Sequence, residues 1–87
     1  VLDIARWYLE ALEAWDEAAV AELLSPGFVH EEKPNRLVPT GQTRDRATSL
    51  AAVTKGAAIL EKHTFTLERS YEAGGTLILE ITWRGVL

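Results

Sequence analysis

The run Leu24-Ser-Pro-Gly-Phe-Val-His-Glu-Glu-Lys-Pro-Asn-Arg-Leu-Val-Pro-Thr-Gly-Gln-Thr-Arg-Asp-Arg-Ala47 constrains this chain more than any other stretch. Ser25-Pro26-Gly27 ends whatever helix precedes it, because proline removes a backbone donor and glycine favours turn geometry. Phe28 to Glu31 or Glu32 then reads as a strand, with Val29 and Glu31 on one side and Phe28, His30 and Glu32 on the other. Lys33 to Gln42, holding Pro34, Pro39 and Gly41, reads as a loop. A fold that tolerates this interruption must place helices before and after a short strand.

The helices are legible around it. Residues 2 to 15 place Ile4, Trp7, Tyr8, Ala11, Leu12 and Trp15 on one arc at the helical period, with Asp3, Arg6, Glu10 and Glu13 opposite. Tyr8 lies near the centre of that arc and needs a partner for its hydroxyl. Asp16 is suited to cap a second short helix, Glu17 to Leu24, with Val20, Leu23 and Leu24 inward. Thr43 is the expected cap of a third helix over roughly residues 44 to 61, with Leu50, Val53, Ala57 and Leu60 as its stripe. Gly56 inside that helix is unfavourable by up to ~1 kcal/mol against alanine, which implies close packing there.

The C-terminal third alternates. Phe65, Leu67 and Tyr71 share one face, Thr66, Glu68 and Ser70 the other, and Gly74-Gly75 supplies a tight turn. The second strand, Thr76 to about Val86, puts Leu77, Leu79, Ile81 and Trp83 on one face. Helices on one side of an antiparallel sheet make an α+β fold, and 87 residues make one domain. Three strands are thin cover for this much apolar surface, so more strands or a second copy of the chain are expected over Trp83. The chain begins inside a helical pattern and stops on Trp83-Arg84-Gly85-Val86-Leu87, which reads as mid-sheet. The expectation is a piece of a longer chain.

Composition excludes more than it identifies. A net charge of -4 argues against a nucleic-acid partner. No apolar run approaches the ~20 residues that a membrane span needs. There is no cysteine, hence no disulfide and no thiolate chemistry; a cytoplasmic location is the default expectation. No cofactor signature is present. His30, Glu31, Glu32 and His63 are residue types that ligate zinc, but they lack the helical His-Glu-x-x-His spacing and no metal is expected.

The order of helix, Trp15-Asp16, short helix, Leu24-Ser25-Pro26-Gly27-Phe28-Val29-His30, loop with Gly41, helix and long hairpin resembles the nuclear transport factor 2-like superfamily, within it the SnoaL-like and ketosteroid-isomerase-like branch. The resemblance spans the whole chain and implies a cone of curved antiparallel sheet around N-terminal helices, an apolar pocket, and a homodimer through the sheet. The last strands of that fold, and the acid that the isomerases carry on one of them, would lie beyond Leu87. The resemblance also implies roles. Tyr8 matches the oxyanion-donating tyrosine of those isomerases, and Glu31 matches their aspartate base.

Two functional readings follow. One is acid-base catalysis, of isomerase, cyclase or dehydratase type, on a small apolar carbonyl compound; Glu31 or His30 acts as base and Tyr8 as donor. The other is a non-catalytic module that binds a small hydrophobic molecule, or a dimeric interaction domain. Trp7, Trp15, Phe28, Arg36, Leu50 and Trp83 are the candidate ligand contacts. Each has an ordinary alternative: Glu31 hydrated and paired with Lys33 or Arg36, His30 a structural histidine, Tyr8 a core tyrosine, the tryptophans core or dimer surface. Arg36, Arg44 and Arg46 either clamp an anionic group or solvate the loop and helix start, where a salt bridge to Asp45 or Glu32 offsets the helix dipole.

Overall fold

The computed structural model describes residues 2–87. Their order is α1 (Leu2–Glu13), α2 (Glu17–Leu23), β1 (Val29–Glu32), β2 (Gln42–Asp45), α3 (Arg46–Ile59), β3 (Lys62–Ala73) and β4 (Thr76–Val86). The architecture is α+β. Among the described residues the strands form two antiparallel hairpins, β1 with β2 and β3 with β4.

The helix α1 stops at Glu13, earlier than its apolar pattern suggests. Trp15 takes a positive φ of 55°, which breaks the helix and swings the indole out of the arc. Leu9 and Ala11 are buried, whereas Ile4 and Trp7 lie half exposed. Asp16 then caps α2, accepting from the Ala19 N–H at 3.1 Å as its position predicts.

The segment after the loop also differs from expectation. Thr43 does not cap a helix: Gln42–Asp45 is a strand, paired Val29 to Asp45 through Glu32 to Gln42. The cap is Asp45, whose carboxylate accepts from the Thr48 N–H at 2.8 Å. The intervening loop is built on Asn35, whose Oδ1 accepts from the Leu37 and Val38 N–H groups. Gly41 closes it at φ 70°, and an added Cβ would lie 2.6 Å from the Glu32 carbonyl oxygen. This closure returns the chain beside β1.

The long hairpin turns at Gly74-Gly75, both at positive φ, as read from the sequence. Its register carries one irregularity. Leu67 pairs with Ile81, but Arg69 pairs with Glu80, so Glu68 is an extra residue in β3. Phe65 and Leu67 therefore share a face with Ile81 and Trp83, while Tyr71 pairs with Ile78 on the opposite face. The single face expected for Phe65, Leu67 and Tyr71 is split by that bulge.

The core is small, as expected of a chain this short. Ala11, Val20 and Val53 are buried together, with Tyr8, Leu12, Trp15, Ala19, Leu24 and Leu50 packed around them. Val20 is 1% exposed. Arg46 ties α3 to α2 by donating to the exposed carbonyls of Ala21 (2.7 Å) and Leu24 (3.3 Å) at the end of α2. Gly56 is where Trp15 lies: an added Cβ would stand 2.6 Å from Trp15 Cζ3. The close packing implied by a glycine inside a helix is present.

Gly56→Ala should consequently lower stability, by about 1–3 kcal/mol from overpacking against the indole, despite alanine's better helix propensity. Chemical denaturation compared with the unsubstituted protein measures this. An unchanged or raised midpoint would show that Trp15 moves aside freely.

Candidate functional site

Three aromatic side chains meet one imidazole beneath the hairpin. His63, on β3, is buried; its Nε2 lies 2.6 Å from the Leu12 carbonyl and its Nδ1 accepts from Trp83 Nε1 at 3.2 Å. A carbonyl on one nitrogen and an N–H on the other select the neutral ring with its proton on Nε2. Trp15 stacks on the ring with centroids 3.8 Å apart and Phe65 meets it edge-on at 5.0 Å. Both nitrogens and one face of this imidazole are engaged by the protein. It is structural, and Trp15 and Trp83 are held there rather than in a ligand pocket.

The apolar opening lies elsewhere. A pocket of about 250 Å³ is lined by Ile4, Ala5 and Tyr8 of α1, Leu23 and Leu24 at the end of α2, Phe28, and Leu77 of β4. It forms where the Ser25-Pro26-Gly27 break turns the chain from α2 into β1, leaving Phe28 against the side of α1. Tyr8 is the one lining residue with a polar side-chain atom. Burial pushes its phenol above the ordinary tyrosine value, with the positive charge of Arg44 pulling partly back. Its hydroxyl makes no hydrogen bond among the described residues.

Strand alternation decides which of the adjacent residues looks inward. Along β1, Val29 and Glu31 are exposed while His30 and Glu32 are partly covered. His30 pairs with Arg44 across the hairpin and Glu32 with Gln42. Burial holds the His30 imidazole below the ordinary histidine value; Arg44 adds to that and Glu32 opposes it. Glu32 is held below the ordinary carboxylate range by hydrogen bonds from Gln42 (3.0 Å) and Asn35 (2.9 Å), with smaller help from Arg44 and His30. Arg44 Nη2 stands 4.0 Å from Glu32 Oε1, and its Nε is covered with no partner.

Tyr8 and Glu31 are not brought together. Glu31 pairs with Lys33, both side chains more than half exposed, and borders a polar surface depression with Glu32, Lys33, Pro34 and Gln42. As the strand-tip carboxylate expected to face the pocket beside Tyr8, it is displaced because its neighbour His30 takes the inward position. Of the expected ligand contacts only Phe28 lines the apolar pocket. Trp7 is 55% exposed on the outer side of α1, Arg36 is exposed in the loop, and Leu50 packs on the core. Sequence reasoning passed over Ala5, Leu23, Leu24 and Leu77 as pocket walls; it named Arg44 among three arginines that either clamp an anion or solvate the loop, but placed it at a helix start rather than on β2. The signal for Arg44 was an alternation that four residues are too few to reveal.

The described residues gather no group of three or more histidine, cysteine or carboxylate side chains of the kind that binds a metal ion. No helix among them is long and apolar enough to cross a membrane. Comparison of the chain with protein-family models, with curated proteins and with solved structures finds no match.

Titration of His30 tests the inward assignment. Its folded value lies below its unfolded value, so the unfolded chain binds the proton more readily. His30 therefore favours the fold above the unfolded value of ~6.5 and progressively withdraws that support as the pH falls below it. An NMR titration of its ring should give a midpoint below 6.5 that rises in Arg44→Gln. A midpoint at or above 6.5 would place the ring in solvent.

Proposed function

We propose that this chain binds a small apolar molecule in the pocket between α1, the end of α2, Phe28 and Leu77, with Tyr8 donating a hydrogen bond to an oxygen of that molecule. The observation that carries this reading is the pairing of an otherwise apolar wall with one phenol hydroxyl that has no partner among the described residues. Such a pocket, mostly apolar with few polar groups to orient the guest, is what small-molecule sites share. At about 250 Å³ it suits a compound smaller than most drugs. The reading agrees with the nuclear transport factor 2-like resemblance, in which the two hairpins would be parts of one curved sheet and α1 its filling. A homodimer through the sheet belongs to the same proposal.

Acetophenone, an apolar ring with one carbonyl, is a suitable neutral probe. Its addition should shift NMR signals of Ala5, Tyr8, Leu24 and Phe28 in a saturable way. Ala5→Phe fills the space and should abolish those shifts while leaving the fold intact. Tyr8→Phe should weaken binding about three- to tenfold, the value of one net hydrogen bond. Shifts scattered over the surface, or unaffected by Ala5→Phe, would sink the pocket reading.

A second reading, acid-base catalysis, is favoured by one observation: His30 faces inward with its proton affinity lowered, so the neutral imidazole is the abundant form at pH 7. It would remove a proton adjacent to a carbonyl that Tyr8 polarises, with Glu31 having no part. Under this reading the rate rises with pH through a value below 6.5 and levels off near neutrality, and His30→Gln removes it. A pH-independent rate, or full activity in His30→Gln, excludes His30 as base.

A further inference from the structure

We propose that the molecule held in this pocket is an anion, an apolar body ending in a carboxylate, and that Arg44 at the rim is the group that holds its head. The inference rests on the pocket reading above and narrows its ligand class.

Placement comes from the chain itself. Phe28 lines the pocket, and His30 lies two residues further on the same side, roughly 7 Å along an extended chain. Arg44 stands directly opposite His30 in the hairpin, with Cβ atoms about 5 Å apart in such pairs. Its guanidinium is thus carried on the inward side of β2, within reach of the pocket rim. Burial agrees, since Arg44 is the covered residue of β2 while Gln42, Thr43 and Asp45 are exposed. The Tyr8 hydroxyl and the His30 ring both feel its charge.

The chain leaves that charge poorly answered. Among the described residues only the acid Glu32 approaches it, at 4.0 Å, and the carboxylate of Glu32 is already engaged by Gln42 and Asn35. Arg44 Nε is covered and without a partner. The side chain is a quarter exposed, so its outer nitrogens remain open to a guest, and a carboxylate is the acceptor with which a guanidinium makes its strong charge-assisted bonds. The neighbouring arginine shows the contrast: Arg46 spends its donors on the carbonyls of Ala21 and Leu24 and has a structural task. Arg44 has none that uses Nε.

The rest of the site is consistent with that head group. Tyr8 adds a neutral O–H donor. His30 can donate one N–H in its neutral form and carries a full charge only under acid conditions. Glu72, paired with Leu77 in the hairpin, brings an exposed carboxylate to that side, which disfavours an anionic head there. The guest is therefore oriented: its acid lies toward β2, its apolar body between Ala5, Leu24 and Phe28.

Benzoate and acetophenone, nearly equal in size and differing in charge, test this by NMR titration or calorimetry at low salt. Benzoate should bind at least about tenfold more tightly, as charge-assisted hydrogen bonds allow. Arg44→Gln should reduce that ratio to near one. Arg44→Lys should keep part of it, since it retains the charge but not the fork, and it guards against a misfolded Gln variant. Acetophenone binding with no preference for benzoate, or a preference that survives Arg44→Gln, overturns the anion inference and leaves the pocket reading standing. Binding of neither probe overturns both.

Discussion

The imidazole of His63 joins the two halves of this molecule. Its ring nitrogens connect the last turn of α1, through the Leu12 carbonyl, to β4, through the Trp83 indole. Its face carries Trp15, whose indole in turn lies against Gly56 of α3. Three segments far apart in the sequence thus meet on one side chain. A buried polar group that makes all its hydrogen bonds specifies an arrangement that apolar contacts alone leave loose. The adjoining carboxylate of Glu13, which accepts from the Phe65 N–H, strengthens the same junction. With so few fully buried side chains elsewhere, α1 is positioned against the hairpin largely from here, and so is the pocket that α1 borders.

Much of the architecture was legible because it rests on strong local signals. Asp16 as a cap, the Gly74-Gly75 turn and the close approach at Gly56 each follow from one residue's conformational preference, and each is found. What the pattern concealed depended on longer-range choices. Trp15 looked like the next residue of an amphipathic arc until the stack on His63 drew it into positive φ. Gln42 to Asp45 looked like loop and helix start because a four-residue polar strand has no apolar alternation to display. The bulge at Glu68 was invisible for the same reason: either face of the hairpin remains chemically reasonable until the pairing is known.

The site shows how a period of two governs chemistry. His30 and Glu31 are neighbours in the chain yet look in opposite directions, and one residue of register decides which one is available. Glu31 is exposed and pairs with Lys33. On the covered side, Arg44 lowers the proton affinity of both His30 and Glu32. The pairing of Tyr8 with Glu31 was the part of the expected site that depended on this register, and Glu31 lies outside the pocket that Tyr8 lines. Phe28, on the segment after Gly27, lines the same pocket as Tyr8.

The extra residue in β3 also shapes the mouth of the pocket. In the register that Lys62 and Val86 begin, the residue across from Leu77 would be Tyr71; the insertion slides the strand so that Glu72 takes that place. A second phenol beside the opening would have offered a competing hydroxyl and a bulky lip. Glu72 is instead an exposed acid, and Tyr8 is the one hydroxyl among the residues that line the wall. A single surplus amino acid in the neighbouring strand thereby decides whether an acid or a phenol stands opposite a wall of the cavity.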